Sequence, residues 1–241
     1  MKVNHYKITI LLLLFSFSAF AQKDSIRKQG YYISLNGGVS LPAGDFKSTT
    51  YLGLGGYALN GYGGTVQLEK VFKPGFLGIA FEASYYVNQF NLPAFENAMT
   101  PYIDKYPFIH YTFSGASPYK QTPLLIGVFS EGYFHKFTLQ FKLNVGLDIL
   151  TLPYVNNQVT VGFSSFPIIV YPTTMNLLYA SPPSVNFAYS TEISLRYSFT
   201  KSISIRAKDY FLSMLRNTPD YFPTPFFQMH LELGVVYKLD R

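Results

Sequence analysis

The chain of 241 residues contains no cysteine and no tryptophan, and only 13% of it is charged. Without cysteine there is no disulfide scaffold, no thiolate metal site, no cysteine nucleophile and no anchoring through a lipidated N-terminal cysteine. Ordinary soluble domains carry about 25% charged residues, so the deficit argues against a soluble enzyme. Long apolar runs are also missing: beyond Gln22 none approaches the ~20 residues that a membrane-spanning helix needs. In their place stand 23 Phe and 21 Tyr within a 48% hydrophobic chain.

The first residues read as a secretory signal. Lys2, His5 and Lys7 form a basic end, residues 8–20 an apolar stretch, and Ala19-Phe20-Ala21 a small-x-small cleavage site. An uncleaved anchor is the competing reading, but about thirteen residues fall short of a span. The expected organisation is a signal peptide over 1–21, a polar leader over 22–29 and one domain over 30–241. Removing Lys2 and Lys7 from the 19 basic residues leaves 17 against 13 acidic, an excess too weak to predict nucleic-acid binding. An exported chain without a spanning helix is bound for periplasm, medium or outer membrane.

Period-two alternation decides among these. In the clearest segment Phe137, Leu139, Phe141, Leu143, Val145, Leu147 and Ile149 share one face, while Thr138, Gln140, Lys142, Asn144, Gly146 and Asp148 share the other. The final segment repeats the pattern from Phe227 to Leu239, with Val236 as the exception. The same rule marks segments at 31–41, 58–71, 76–88, 123–133, 185–198 and 202–212, making eight. Leu125 and Phe129 interrupt the polar face of the fourth, and Asp209 the apolar face of the seventh, where a bulge over 207–209 would restore the alternation. Links alternate between tight turns (72–75, 133–136, 199–201) and long loops (42–57, 89–122, 152–184, with a shorter 213–225). Even strand number, and short turns on the side that holds both termini, predict an all-β fold: a closed eight-stranded antiparallel transmembrane barrel, an up-and-down meander with long extracellular loops.

The opening stretch from Gly30 through Tyr31, Tyr32, Ile33 and Ser34 to Pro42, followed by Gly44-Asp45-Phe46, resembles the first strand and rim of small eight-stranded outer-membrane barrels of the OmpA/OmpX type. It is closest to the PorT-like barrels of Bacteroidota. The resemblance covers 30–239 at the level of architecture. It implies residence in the outer membrane of a Gram-negative bacterium, contact with outer-membrane lipid and lipopolysaccharide, insertion by the barrel-assembly machinery through Tyr237 and Leu239, and a part in protein secretion. Two departures are the lack of a peptidoglycan-binding domain after the barrel and Arg241 in place of a terminal aromatic residue.

A soluble lipocalin-like barrel is the competing fold. Its polar face would meet water and carry Lys and Glu in quantity, whereas this one is mostly Ser, Thr, Asn, Gln and Gly, with Gly38, Gly78, Gly127, Gly146 and Gly234 suited to a crowded lumen. The apolar face suits lipid, with Tyr31, Tyr85, Tyr189, Tyr197 and Tyr237 as rim residues. A polar face turned inward buries Glu69, Glu82, Glu131, Asp148, Glu192 and Glu232 with Lys142, Arg196, Arg206, Lys208, Lys238 and His230, and charges so confined are expected to pair and plug the barrel. A proton or ion path along them is the alternative.

Catalysis finds little support. His230 and Glu232 share a strand face and invite comparison with lipid A-modifying barrels, but no serine adjoins them, and His110 and His135 stand alone. No metal-ligand spacing or nucleotide signature appears, so no cofactor is expected. The loops are the more unusual feature: residues 149–191 contain no Asp, Glu, Lys or Arg, and 89–122 is rich in Phe, Tyr and Pro with a short helix expected over 94–99. The loops either pack on each other as a cap, with the second extending the fifth and sixth strands as a hairpin, or present Phe163, Phe166, Ile168, Ile169 and Tyr171 to another outer-membrane or secretion-system protein. The expected role is a non-catalytic structural or accessory component of a cell-envelope assembly. The alternatives are a lipid A-modifying enzyme and a narrow channel for small hydrophobic compounds.

Overall fold

The computed structural model describes residues 29–49, 56–72, 77–105, 109–161, 169–175, 183–215 and 226–239. The signal segment, nearly all of the leader, and Phe163, Phe166 and Ile168 lie outside these residues. Eleven strands are formed among them: β1 (Gly30–Ala43), β2 (Ala58–Val71), β3 (Leu77–Phe90), β4 (Ile109–Ala116), β5 (Tyr119–Phe134), β6 (Phe137–Thr151), β7 (Val155–Val161), β8 (Ile169–Met175), β9 (Ser184–Ser198), β10 (Ile203–Leu215) and β11 (Phe226–Leu239). One helix, α1, spans Leu92–Ile103.

Eight strands close on themselves in the order β1-β11-β10-β9-β6-β5-β3-β2, an antiparallel meander sealed where β1 pairs with β11 from Tyr31↔Leu239 to Ala43↔Phe227. Each therefore has two hydrogen-bonded neighbours and no exposed edge. The strands run to 13–16 residues because the alternation continues that far. In β6 the odd-numbered residues from Phe137 face outward and the even-numbered ones are buried inside, Gly146 being only half-buried. The β5–β6 connection is a two-residue turn between the paired Phe134 and Phe137, with His135 in the left-handed region at φ 54°.

Three expectations are corrected. No bulge occurs over 207–209: β10 keeps continuous register with β9 and β11 through Ala207, Lys208 and Asp209, because a ladder on each side leaves no spare residue. Asp209 consequently faces outward. Second, β5 begins at Tyr119, and Leu125 and Phe129 are inward residues buried in apolar contacts within the barrel. Third, the second long loop does not prolong β6 and β9. The chain leaves the wall at residues 152–154, and β7 then pairs with β8 and with β4 of the other long loop, from Ile109↔Val161 to Ala116↔Val155, as a separate sheet in the order β4-β7-β8. The fold is thus mostly β, with α1 longer than the sequence pattern suggested. Asn91 caps its start by accepting from the Ala94 amide at 3.2 Å, Pro93 occupies the first turn where no amide is needed, and Pro101 lies in the last turn.

Candidate functional site

Because inward residues repeat every second position on eight adjacent strands, the lumen gathers side chains far apart in sequence. All of Glu69, Glu82, Glu131, Lys142, Asp148, Glu192, Arg196, Arg206, Lys208, His230 and Glu232 are buried there, as is Lys238. The centre is a chain of alternating charge. Arg206 Nη2 lies 2.6 Å from Glu69 Oε2, the other oxygen of Glu69 is 3.1 Å from Lys142 Nζ, and Lys142 is 3.2 Å from Glu192. Lys208 continues it, 3.9 Å from both Glu192 and Glu82 and 3.0 Å from Glu232.

Uncharged groups fix these ions in place. Gln67 accepts from Arg206 at 2.5 Å and donates to Glu82 at 2.5 Å and Glu192 at 2.9 Å, so one amide bridges three strands. Glu232 Oε1 accepts from Tyr86 at 2.5 Å and Thr65 at 3.0 Å. A second group sits nearer the short turns: Arg196 lies 3.8 Å from Glu131 and over the ring of Tyr32, while Glu131 also accepts from Gln140 and Tyr133. Glu192 and Arg196, four apart on one face of β9, thus serve different clusters. Asp148 and His230 stand apart from both. His230 is packed between the rings of Tyr86 and Tyr210, at centroid distances of 3.8 and 5.1 Å, and neither ring nitrogen has a hydrogen-bond partner.

Apolar clusters pack against this polar column toward both ends. Val71, Ala80 and Phe129 pack with Tyr32 at the short-turn end. At the loop end Phe46 is fully buried, edge-on to Tyr119 and Phe226 with centroids 4.9 Å away in each case, and Ala58, Leu150 and Met214 complete the layer. The lumen is also too crowded for larger residues. A Cβ on Gly78 would stand 2.2 Å from the ring of Phe129, and one on Gly127 would stand 1.9 Å from Asn144 Oδ1.

Above the loop end, α1 packs on the second sheet. Tyr57, Phe95 and Val155 form its buried centre, with Leu92, Met99 and Phe113 against them. Phe95 is edge-on to Tyr57 and to Phe113, at 5.5 and 5.4 Å. The two long loops therefore pack on each other. Of the five residues expected to dock a partner, Ile169 and Tyr171 contribute backbone to β8, and the other three are outside the described residues.

The sequence pattern omitted Gln67, Thr65 and Tyr86, although parity along β2 and β3 places them inward beside Glu69 and Ser84. Phe46 had no such signal, because it sits in a single 3-10 turn after β1. Chemically, the column holds opposite charges in contact. His230 adjoins aromatic rings, Glu232 is engaged by Lys208, Tyr86 and Thr65, and among the described residues no group of three or more His, Cys, Asp or Glu could hold a metal ion.

No family model matches the sequence, and no curated protein is similar to it. Among solved structures the chain is similar to Neisserial surface protein A, at 10% identity over 87% of this chain and 97% of that one with a TM-score of 0.49. It is likewise similar to Ail, the attachment invasion locus protein of Yersinia pestis, at 10% identity over 88% and 100% with a TM-score of 0.43. A third is the N-terminal β-barrel domain of Pseudomonas aeruginosa OprF, at 11% identity over 88% and 100% with a TM-score of 0.36. The finer PorT-like resemblance gains no support from them. At these levels of similarity the fold stands on the strand pairing of this chain itself.

Proposed function

We propose that the chain is an outer-membrane anchor: a plugged barrel that spans the outer membrane of a Gram-negative bacterium and holds its loop-borne cap outside as a docking surface for another envelope protein. The observation that carries this reading is the inversion of its two surfaces. Leu35, Val66, Phe81, Ile126, Leu143, Ile193 and Leu233 lie exposed on a continuous outer wall, while the ions are buried in the lumen. Water would reverse that distribution; hydrocarbon accounts for it. Strands of 13–16 residues exceed the ~9–11 needed to cross a bilayer at a tilt near 45°, so they project beyond it into the loops. The short turns then lie on the periplasmic side and the cap outside.

A lumen filled by paired, buried charges favours an anchor over a channel for small hydrophobic compounds. A lipid A-modifying enzyme would need its reactive groups at the bilayer or rim, and His230 and Glu232 are within the column. The docking role draws on the charge-free segment 149–191, which carries Phe163, Phe166, Ile168, Ile169 and Tyr171. A part in protein secretion rests on the opening PorT-like stretch alone.

Cell fractionation with gel migration tests the reading. The mature chain should be recovered with the outer membrane and run faster unheated than boiled, because a closed barrel resists detergent. Recovery in the soluble periplasm would end it. Phe163→Asp and Phe166→Asp should leave migration unchanged yet reduce co-purification of the partner, since a charge at the centre of a contact would be buried unpaired.

A further inference from the structure

Outward positions of the eight barrel strands are apolar or small, with a few Thr, Ser, Asn and Gln, and with three charged exceptions. Lys70 and Lys120 belong to the two ends of the wall. Lys70 is near the short turns, stacked over Tyr31 and Phe72 at 5.2 and 5.8 Å, and Lys120 is at the start of β5 beside the cap. Asp209 is different. It is the middle residue of β10, exposed on the wall, directly opposite Ile193 of β9 and Leu231 of β11.

Among the described residues no cation is placed to neutralise it. Lys70 on β2 and Lys120 on β5 are each three strands away around the barrel, about 14 Å at the spacing of paired strands. The adjacent Lys208 points inward and is committed to Glu232. Lys201, in the turn at the foot of β10, is eight residues along the strand.

The wall is also indented there. Ala207, small among branched neighbours, floors an open depression of about 460 Å³ walled by Ile193, Leu195, Leu231 and Leu233, with Asp209 on its margin. Thr191, opposite Phe211 and diagonal to Asp209, adds a hydroxyl on the same outer face. A carboxylate in hydrocarbon is unfavourable unless it is paired, and an ionisable residue at such a depth marks a contact.

We propose that this depression is a docking site within the bilayer for a membrane-spanning segment of another protein that places a lysine or arginine at the depth of Asp209. Charge complementarity selects the occupant. A second copy of the chain would oppose Asp209 with apolar wall or with another carboxylate, whereas a basic side chain pairs with it while the segment fills the notch over Ala207. The inference rests on the membrane-spanning reading above.

The absence of native cysteine gives the test a clean background. Lys201→Cys, remote from the depression, carries an acceptor fluorophore, and the protein is reconstituted in phosphatidylcholine vesicles. Donor-labelled single-span leucine-alanine peptides are added, one with a central lysine and one with leucine in its place. Energy transfer should show the lysine peptide associating about three- to tenfold more tightly than its counterpart. Asp209→Leu should abolish that preference and keep the faster unheated migration of an inserted barrel. Equal association of both peptides, or a preference that survives Asp209→Leu, overturns the docking site while leaving the membrane reading intact. Self-association of the labelled protein that is lost in Asp209→Leu overturns it by assigning the face to a second copy. Failure of the parent protein to insert overturns the membrane reading and the docking site together.

Discussion

Replacing Arg206 with Met probes the charged column where its geometry is tightest. The thioether keeps most of the volume of the arginine stem and removes the charge. Glu69 Oε2 then loses its partner at 2.6 Å but retains Lys142 at 3.1 Å on the other oxygen, and Gln67 Oε1 loses a donor at 2.5 Å but retains Ser34 at 3.3 Å. Breaking a buried ion pair costs about 3–5 kcal/mol. With Lys142 still in place, the expected loss is at the lower end, about 3 kcal/mol. Glu69→Gln should be destabilising too, since Arg206 is left buried without a carboxylate at contact distance. The double substitution removes both stranded charges, so it should be less destabilising than the sum of the singles by about 2 kcal/mol. Urea unfolding of the barrel in lipid vesicles reads these differences by far-ultraviolet circular dichroism and by the fraction of fast-migrating band, since the chain has no tryptophan. An Arg206→Met barrel within about 1 kcal/mol of the parent, or strictly additive singles, would refute the coupled network.

Arg196→Leu should be milder than Arg206→Met in the same titration, because its pairing with Glu131 is looser at 3.8 Å, and a reversed ranking would count against the distances as a guide to energy. Gly78→Ala should destabilise by about 1–3 kcal/mol, since its methyl group would meet both Phe129 and the backbone oxygen of Lys70; unchanged stability would mean that the lumen is looser than described. Planar-bilayer recordings of the parent protein should show no steady large conductance, and a sustained open level would contradict the plugged column. In Phe46→Ala the loop-end layer loses its centre, yet conductance should stay absent because the charged column and the Phe129 layer remain.

Legibility followed periodicity. In β6 and β11 each residue's parity assigns it to wall or lumen, and the ions of the column could be collected in advance from their parity. Their pairing could not, because it depends on register and reach between nearby strands: Glu192 meets Lys142, its register partner on β6, and Lys208 on β10, while Arg196, on the same strand face, reaches past β6 to Glu131 on β5. Asp209 shows where pattern reasoning misled. The rule that apolar faces stay apolar suggested a bulge to turn it inward, whereas unbroken ladders on both sides hold β10 in register and leave the carboxylate outside. The cap was the least accessible part. Pairing β4 with β7 joins segments roughly forty to fifty residues apart whose edges are complementary only once the barrel has brought both loops to one end. Leu125 and Phe129 read as defects in a polar face, whereas inside the barrel Phe129 packs with Val71 and Ala80, and Leu125 with Ala188 and Leu212.

The central claim is that odd and even residues of one strand meet different solvents. Single cysteines placed in turn at residues 139–145 of β6, each bearing a spin label in the cysteine-free background, measure this by collision with oxygen, which concentrates in lipid, and with a water-soluble nickel chelate. Labels at Leu139, Phe141, Leu143 and Val145 should be accessible to oxygen and shielded from nickel, with Gln140, Lys142 and Asn144 shielded from both. High nickel accessibility at the odd positions, or no period of two, would contradict a closed barrel standing in a bilayer.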